Sequence, residues 1–269
     1  MNKSKELDQF YTNKELAENL YNYLDNRFNL ENYFLLEPSA GEGAFSNSFH
    51  SNSISIDIDP KQNYIFKENF LDFKLNEDIL SEEDIFTIGN PPFGKKSSLA
   101  IKFFNKSAKF SKYIAFIIPK TFKKVSVQNK LDLNFHLLTE ISLPKKSFIF
   151  KNKIYDVPCV FQIWEKRDVK RQKIKTNIKS KYFNFVNKDD AHFAIRRVGG
   201  LAGKIILDFY DYKESSHYYI QSLIDVEDLI DIIEEGYSEL NEIAKNSAGN
   251  PSLSKYELII YINERMKNI

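Results

Sequence analysis

The chain has 269 residues, only one of them a cysteine, and a formal net charge of +1. This length allows one large domain or a domain with an appendage, and the hydrophobic and aromatic content argues against global disorder. The single cysteine, Cys159, excludes intramolecular disulfides and a zinc site made of cysteines. No apolar stretch reaches the ~18 residues of a membrane span. Charged residues rather than a signal sequence follow Met1, so we expect a cytoplasmic protein without membrane partners.

The small net charge averages over segments of opposite sign. The stretch 95–130 contains ten lysines and no acidic residue, and a second basic stretch covers 166–181. Acidic residues collect at 77–84 and 225–242. A protein of this kind can bind a polyanion through one basic face, although a solvated lysine-rich surface explains the same pattern.

The first part of the chain alternates helical and strand patterns. Apolar residues at helical spacing predict an amphipathic helix over 13–28, with Thr12 or Asn13 as its N-cap, and a second helix over 98–110. Short apolar or β-branched runs predict strands at 33–36, 53–58, 64–66, 84–88, 113–118, 137–143 and 157–164. This alternation predicts an α/β fold with an open, mostly parallel twisted sheet.

The pattern changes within the basic stretch that starts near residue 166. We therefore expect two domains, residues 1–168 and a small α+β region over 169–269. In the second region the apolar spacing predicts helices at 226–235 and 253–266, the latter with 250–252 as a start signal. Two adjacent arginines, Arg196 and Arg197, precede a pair of glycines there and could contact base edges or phosphates, or form a surface turn.

A glycine-containing turn follows the predicted strand at 33–36 and precedes an expected helix. Gly41 and Gly43 would let the backbone approach a ligand closely, as in nucleotide-binding turns. The segment lacks the Gly-Lys-Ser/Thr end of a P-loop and the full G-x-G-x-x-G pattern, which argues against triphosphate and dinucleotide binding. Glu37, at the end of the strand, is well placed to bind the ammonium group of an amino-acid moiety.

The next two candidate positions are also polar groups after strands. Asp57 ends the strand at 53–58, where an acidic residue can accept hydrogen bonds from ribose hydroxyls, whereas Asp59 more simply caps the turn before Pro60. Asn69 could accept from an adenine amino group while Phe70 packs on the ring. Read alone, the segment 68–72 is more simply a loop with one core phenylalanine.

Asn90-Pro91-Pro92-Phe93 is the most informative motif of the chain. It follows the apolar run 85–89, so it lies where a buried strand ends. The asparagine offers a side-chain acceptor, the prolines fix the backbone and remove amide donors, and the phenylalanine presents a flat ring. An acceptor pair beside a stacking face is suited to holding a planar amine, such as the exocyclic amine of a nucleobase, for methyl transfer.

With this order of motifs, the chain resembles S-adenosylmethionine-dependent amino-methyltransferases of the Rossmann-like fold, most closely the N6-adenine DNA methyltransferases of restriction-modification systems. Residues 36–45, 53–60, 69–73 and 90–93 resemble motifs I to IV of that family, and 113–120 resembles the strand of motif VI. Asp8-Gln9-Phe10-Tyr11-Thr12 resembles motif X. Motif X before motif I, with motif IV after both, is the γ arrangement, in which target recognition follows the catalytic domain. The resemblance covers roughly residues 8–165 and departs from the family pattern at Asn69, where aspartate is common.

The resemblance implies S-adenosylmethionine as the cofactor and transfer of its methyl group to the N6 amine of a flipped-out adenine in DNA, without a metal. Asn90, Pro91, Pro92 and Phe93 would be catalytic. The implied cofactor-binding residues are Gln9, Phe10, Tyr11, Thr12, Glu37, Pro38, Ser39, Ala40, Gly41, Gly43, Asp57, Ile58, Asn69, Phe70 and Asn90. The implied substrate-binding residues are Phe93, Lys120, Phe148, Phe150, Lys151, Arg196 and Arg197.

Three alternatives remain open at the level of sequence. Enzymes that modify RNA or a protein glutamine share the Asn-Pro-Pro-aromatic motif, and a cofactor-binding subunit could keep the fold without catalysis. Methylation at carbon 5 of cytosine requires a thiolate, and Cys159 lies instead in the predicted strand 157–164, where an inert buried thiol is expected. The resemblance also leaves room for a cognate restriction endonuclease or a partner subunit.

Overall fold

The computed structural model describes residues 11–50, 52–82, 84–144, 148–150, 153–155, 157–247 and 249–267. The chain forms two compact units, Met1–Lys173 and Ile174–Ile269. The boundary predicted from the sequence, after residue 168, lies five residues earlier, within the same basic stretch.

The first unit contains ten strands and four α-helices among its described residues. The strands are β1 (Tyr11–Thr12), β2 (Phe34–Glu37), β3 (Ser53–Asp57), β4 (Phe66–Lys67), β5 (Ile85–Gly89), β6 (Ser111–Pro119), β7 (Phe135–Ser142), β8 (Phe148–Phe150), β9 (Lys153–Tyr155) and β10 (Cys159–Lys166). The helices are α1 (Lys14–Phe28), α2 (Glu77–Glu82), α3 (Ser98–Ser107) and α4 (Val125–Gln128).

Seven of these strands form one sheet in the order β4-β3-β2-β5-β6-β10-β7. Strands β2 to β6 pair in parallel, and β10 runs antiparallel to both β6 and β7. The strand order reverses between β2 and β5, which are neighbours in the sheet. Such a reversal leaves a crevice at the carboxyl ends of the strands, where ligands bind in open α/β sheets. The structure confirms the predicted Rossmann-like, mostly parallel α/β fold.

The central strands are buried on both faces, as parallel strands require. Every residue of β2 and β5 is buried, which explains why both read as continuous apolar runs. Along β6, Phe116 and Ile118 join one core cluster, whereas Ala115 and Ile117 join the cluster on the opposite face. This alternation places helices against both faces, and each fully buried large side chain contributes roughly 1.5–3 kcal/mol to folding.

A small antiparallel sheet lies at the carboxyl edge of the large one. It has the order β1-β8-β9, with Tyr11 opposite Ile149 and Thr12 opposite Phe148. Strand β7 ends at the carboxyl edge and β10 begins there, so the intervening hairpin β8–β9 belongs to that edge. The pairing of β1 with β8 thus brings the N-terminal segment to the same edge.

The predicted elements are mostly confirmed, with local differences. Asn13 is the N-cap of α1 and accepts hydrogen bonds from the backbone N–H groups of Glu15 and Leu16. The prediction of a helix after the glycine turn is wrong, because only a single 3-10 turn, Ser46–Ser48, forms there. The helix predicted over 98–110 ends earlier, at Ser107, and the strand predicted at 64–66 lies at Phe66–Lys67.

The second unit is α+β, as predicted. Its strands are β11 (Phe183–Phe185), β12 (Phe193–Arg196), β13 (Ile205–Ile206) and β14 (His217–Ser222), in the antiparallel order β11-β14-β12-β13. Its helices are α5 (Val226–Glu235), α6 (Tyr237–Ala244) and α7 (Lys255–Arg265). Helix α5 has the predicted bounds. Helix α7 begins later than predicted, because Ser254 and Glu257 form a capping box.

In the part of the chain that the structure describes, no helix has the combination of length and apolar character that crossing a bilayer requires.

Candidate functional site

A cavity of about 490 Å³ opens at the carboxyl edge of the large sheet, at the reversal of strand order. This volume lies within the ~300–1,000 Å³ usual for small-molecule sites. The cavity is lined by Thr12, Lys14, Glu37, Pro38, Ser39, Ala40, Gly41, Glu42, Ala44, Asp57, Ile58, Asp59, Asn69, Phe70, Leu71, Asn90, Pro92, Leu99 and Phe103. Most residues predicted from the first three motifs therefore share one cavity with Asn90.

The glycine turn after β2 forms one wall of the cavity. The N–H of Ala40 donates to the Ile56 carbonyl at 2.9 Å, and the N–H of Gly41 donates to the Asp57 carboxylate at 2.8 Å. Gly43 has φ +82°, a backbone conformation that favours glycine. A Cβ atom there would also meet the hydroxyl of Tyr64, an exposed side chain that can move aside. Gly43 is thus required by the turn itself, and it does not line the cavity.

Glu37 is a buried carboxyl group at the end of β2, with only 2% of the residue exposed. Its Oε2 accepts hydrogen bonds from both the backbone N–H (2.9 Å) and the hydroxyl of Ser46. Burial raises the pKa of Glu37 to about 8, partly offset by the bonds from Ser46, and the nearby Asp57 adds to the increase. A cation bound beside Glu37 would favour its ionised form.

Asp57 links β3 to the glycine turn and to its own loop. One carboxylate oxygen accepts from Gly41, and the other accepts from the N–H of Asp59 at 2.7 Å. Each carboxylate oxygen has two lone pairs, so these bonds orient Asp57 and leave it able to accept from ligand hydroxyls. Asp59 also lines the cavity, and its carboxylate pairs with Lys61, which lowers the pKa of Asp59.

Asn69 and Phe70 also line the cavity. The Asn69 side-chain oxygen accepts from the N–H of Leu71 at 3.2 Å, and its Nδ2 donates to Asp72 at 2.6 Å. The amide therefore closes its own loop in an Asx-type turn, and the second lone pair of its oxygen can still accept from a ligand amine. Phe70 is buried against Phe103, with ring centroids 5.2 Å apart, and gives the cavity an aromatic wall.

Asn90 follows β5 directly and is bonded to both neighbouring segments. The hydroxyl of Ser39 donates to the Asn90 carbonyl at 3.0 Å, which ties the turn after β2 to the end of β5. The Nδ2 of Asn90 donates to the Oγ1 of Thr12 at 3.1 Å. Backbone and side chain of Asn90 are thus both held in place at the edge of the cavity.

The rest of the motif connects Asn90 to α3. Pro91 is buried, and Pro92 and Phe93 are half-buried, with Pro92 lining the cavity. The Phe93 side chain packs against the core cluster that contains Ile88, and its carbonyl accepts from the N–H groups of Leu99 and Ala100. Phe93 is not among the residues that line the cavity.

The remaining predicted residues of the first unit divide into described and undescribed positions. Lys120 is half-buried in a 3-10 turn directly after β6, at the same edge as Asn90. Gln9, Phe10 and Lys151 lie outside the described residues. For Tyr11, Phe148 and Phe150 the backbone pairing between β1, β8 and β9 is described, and the side chains are not.

The two predicted arginines lie at the end of β12 in the second unit. The Nε of Arg196 donates to the Val198 carbonyl at 3.1 Å, which folds the side chain back on its own turn. The guanidinium of Arg197 lies over the ring of Tyr218 at 5.0 Å, and its Nε is buried without a hydrogen-bond partner. Both side chains are half-buried in this unit.

Sequence reasoning missed several residues of the cavity and its support. Leu99 and Phe103 of α3 line the wall, and Ser46 holds Glu37. The helical pattern of 98–110 could have suggested the first two, since the N-terminal end of this helix must lie near Asn90. No local signal marks Ser46, because a serine after a glycine turn is common.

The chain matches no family model and no curated protein. Solved structures resemble it distantly. They include an RNA methyltransferase candidate from Pyrococcus horikoshii (16% identity, 62% of this chain and 90% of that chain, TM-score 0.49) and a candidate class I S-adenosylmethionine-dependent methyltransferase from Listeria monocytogenes (16%, 61% and 63%, 0.45). A modification subunit of a candidate type I restriction enzyme from Vibrio vulnificus is also similar (17%, 59% and 44%, 0.43). The match spans less than two thirds of the length of the second and third proteins.

Proposed function

We propose that this protein transfers a methyl group from S-adenosylmethionine to the N6 amine of an adenine flipped out of DNA. The observation that carries this proposal is the placement of Asn90. It follows the strand next to the glycine turn, adjoins the cavity, and is held by Ser39 through its carbonyl and by Thr12 through its amide. An acceptor fixed beside a ligand cavity is the arrangement that methylation of an amine requires.

The cavity suits S-adenosylmethionine in its chemistry as well as its volume. Glu37 offers a buried carboxyl group to an ammonium, and Asp57 offers acceptors to ribose hydroxyls. Phe70, Leu99 and Phe103 provide an apolar surface for a flat ring. When bound, the cofactor supplies an electrophilic methyl group on a sulfonium sulfur.

The task of the Asn-Pro-Pro-Phe segment is to activate a weak nucleophile. The lone pair of an exocyclic adenine amine is delocalised into the ring, so the amine attacks poorly. The Asn90 side-chain oxygen and the Pro91 carbonyl would accept its two hydrogens and favour a tetrahedral nitrogen with its lone pair directed at the methyl group. Positioning and fixed dipoles are then the main sources of catalysis, and the extra proton leaves after transfer.

The charges around the site favour a nucleic acid as the carrier of the adenine, and the motif X-like start together with the second unit favours DNA over RNA. Lys95 and Lys96 follow the motif after Gly94, and Lys120 lies at the same edge of the sheet. Phe93, together with Phe148 or Phe150 of the β8–β9 hairpin, would stack on the extruded base, whose removal from the duplex costs a few kcal/mol. The second unit, with Arg196 and Arg197, would contribute to target recognition. A cognate endonuclease or partner subunit fits the same proposal.

The experiment that tests the role of Asn90 separates binding from transfer. Asn90→Ala removes the acceptor and should lower methyl transfer to DNA by at least about a hundredfold, the scale of losing a preorganised electrostatic group. Calorimetric titration should still detect S-adenosylmethionine binding within a few-fold of wild type. Loss of both methyl transfer and S-adenosylmethionine binding would mean that Asn90 builds the cofactor cavity and that the catalytic assignment is wrong.

Asn105→Ala is the matched control. Asn105 lies on α3 and bonds the Lys130 carbonyl and the Asp132 N–H, and it does not line the cavity. This variant should lose stability and retain transfer. Label that appears in RNA or protein and not in DNA would support the rival amino-methyltransferase classes, and cofactor binding without any transfer would support a non-catalytic subunit.

A further inference from the structure

The second unit brings two positive charges to one aromatic ring. The guanidinium carbon of Arg197 lies 5.0 Å from the centre of the Tyr218 ring. The Nζ of Lys255 lies 5.9 Å from the same centre and 4.7 Å from the centre of the Phe185 ring. The two rings pack edge to face, with their centres 5.2 Å apart. Residues from three separate segments of the chain therefore form one cationic and aromatic cluster.

Strand alternation places these side chains on one face of the antiparallel sheet. Tyr218 on β14 pairs with Ile195 on β12. Both residues belong to one core cluster, against which Phe185 of β11 also packs, whereas Tyr219 belongs to the cluster on the other face. Arg197 follows Ile195 by two positions, just past the end of β12, so it lies on the same face as Tyr218.

Hydrogen bonds within the unit fix the backbone that carries both cations. The N–H of Arg197 donates to the Ser216 carbonyl at 2.9 Å, and the Arg197 carbonyl accepts from the N–H of Leu253 at 2.9 Å. The Leu253 carbonyl in turn accepts from the Tyr218 hydroxyl at 3.0 Å. Lys255 is the first residue of α7, two positions after Leu253. The backbone positions of the two cations are thus set before any ligand binds.

Neither cation has a polar partner within the part of the chain that the structure describes. The Nε of Arg197 is buried without a hydrogen bond, and no described residue forms an ion pair or a side-chain hydrogen bond with Arg197 or Lys255. Glu257, in the first turn of α7, uses its Oε2 to accept from the N–H and hydroxyl of Ser254. Two positive charges near one ring repel each other, and an anion would relieve that repulsion and accept their N–H donors.

The two charges indicate a phosphate group rather than a base edge. A base edge carries no net charge, whereas arginine binds phosphate oxygens through its planar fork and lysine binds them as a compact charge. Each DNA strand carries one phosphate charge per ~3.4 Å of helix axis, so two cations near one ring can meet neighbouring phosphates. Arg196 does not share this role, because its Nε donates to the Val198 carbonyl.

We propose that Arg197 and Lys255 bind phosphates of the DNA backbone and so anchor the second unit on the substrate. The identity of the polyanion rests on the proposed function. Phosphate contacts position a protein on the duplex and carry no sequence information directly. This site would therefore contribute affinity and register, and other groups would discriminate between sequences.

Removing both charges should lower the salt dependence of DNA binding without changing sequence preference. Fluorescence anisotropy of two labelled duplexes with unrelated sequences measures the affinity of the full chain at several salt concentrations. With Arg197→Gln and Lys255→Gln combined, the slope of log Kobs against log salt should fall in magnitude by about 1–2, since each lost phosphate contact removes ~0.9. Binding to both duplexes should weaken by the same factor.

Two further variants separate charge from folding. Lys255 is exposed, so Lys255→Gln alone should fold normally and lower the slope by about 1. Arg197→Lys combined with Lys255→Arg keeps both charges and should retain a slope close to that of wild type. Circular dichroism of each variant checks that the secondary structure is unchanged.

Lys188 and Lys204 supply a matched control on the other face of the same sheet. The Nζ of Lys188 lies 5.6 Å from the centre of the Tyr219 ring and donates to the Tyr210 carbonyl at 2.6 Å. Lys204 is exposed and directly precedes Ile205, whose side chain belongs to the cluster that contains Tyr218. Lys188→Gln combined with Lys204→Gln removes the same charge and should keep the wild-type slope.

The outcomes distinguish this site from the proposed function. A wild-type slope after removal of Arg197 and Lys255, an equal fall in the control variant, or weakening confined to one duplex would overturn the phosphate site, even if the protein methylates adenine in DNA. A protein that shows the predicted slopes but transfers no methyl group to DNA would refute only the proposed function.

Discussion

At the scale of single residues, Glu37 has the most unusual surroundings in the site. It is buried at the end of a central strand, bonded to Ser46, and near the carboxylate of Asp57, so its pKa is raised to about 8. The neutral form is therefore favoured in the free protein near neutral pH. Cofactor binding should replace that preference with an ion pair, and a proton should leave Glu37 as the ammonium binds.

The raised pKa predicts a specific pH dependence of stability. When a carboxyl group has a higher pKa in the folded than in the unfolded protein, its contribution to stability is fully present below the unfolded pKa, which is about 4.5 for a glutamate. That contribution is lost as the pH rises through the folded pKa, which is about 8 for Glu37. Glu37→Gln cannot ionise and can still accept from Ser46. The difference in the free energy of unfolding between Glu37→Gln and wild type should therefore increase, in favour of the variant, by about 2–4 kcal/mol from pH 5 to pH 8.

Urea unfolding followed by the fluorescence of Trp164 measures this difference, since Trp164 is the only tryptophan and is buried in the first unit. The exposed Glu42 in the same turn supplies the control, and Glu42→Gln should leave the pH dependence unchanged. Parallel pH profiles for wild type and Glu37→Gln would show that Glu37 has an ordinary pKa.

The sequence allowed Glu37, Asp57 and Asn90 to be predicted because each follows an apolar strand, and parallel strands end at one edge. It did not reveal what holds them. The contacts of Glu37 with Ser46 and of Asn90 with Thr12 depend on turn geometry and on strand pairing between distant segments. Residue identity likewise gave no sign of the Asx-type turn in which the Asn69 oxygen accepts from Leu71.

At the scale of elements, the segment between β5 and α3 has the most constrained backbone. Gly94, Lys96 and Ser97 all have positive φ, at 66°, 55° and 62°. The hydroxyl of Ser97 bonds that of Thr121 at 2.6 Å, which ties this segment to the turn after β6. Left-handed conformations at non-glycine residues occur where the surroundings enforce them, frequently next to functional groups.

Gly94→Ala should therefore be costly. A Cβ atom there would lie 2.8 Å from the Leu99 side chain and 2.9 Å from its backbone nitrogen, in addition to the strain of a positive φ. We expect a loss of about 2–4 kcal/mol in the first unit, measured by urea unfolding with Trp164 fluorescence. Ser98→Ala, at an exposed neighbouring position, should change stability by less than about 0.5 kcal/mol. Comparable effects of the two substitutions would contradict this account of the segment.

Strands of the large sheet were easier to predict than the connections between them. Continuous apolar runs identify buried parallel strands, but the pairing of β1 with β8 joins two short segments with no pattern of their own. The 3-10 turn at Ser46–Ser48 replaces an expected helix, although a strand followed by a glycine turn commonly leads into one. In the second unit the sequence predicted α5 and α7, whereas α6 and the short strands fell among weak signals.

At the scale of the whole molecule, the topology separates the lysines of the first basic stretch. Lys95 and Lys96 follow β5 at the carboxyl edge of the sheet, near the cavity. Helix α3 then returns the chain to the start of β6, so Lys106 and Lys109 lie toward the opposite edge. Net charge alone gave no indication of this division, because it depends on the order of strands and helices.

This division predicts different effects on DNA binding. Replacing Lys95 and Lys96 with glutamine should lower the slope of log Kobs against log salt by about 1–2, since each lost phosphate contact removes ~0.9. Replacing Lys106 and Lys109 removes the same charge and should leave the slope unchanged. Fluorescence anisotropy with a labelled duplex measures both. Equal slopes for the two double variants would place the DNA on another surface.

The proposal that this chain methylates adenine in DNA can be tested directly. The most direct measurement is incubation with methyl-labelled S-adenosylmethionine and unmodified DNA, followed by hydrolysis and separation of the nucleosides. We expect label in N6-methyl-2′-deoxyadenosine and in no other nucleoside, and we expect Asn90→Ala to lose that label. Label confined to RNA or protein, or the absence of transfer to every acceptor, would contradict it.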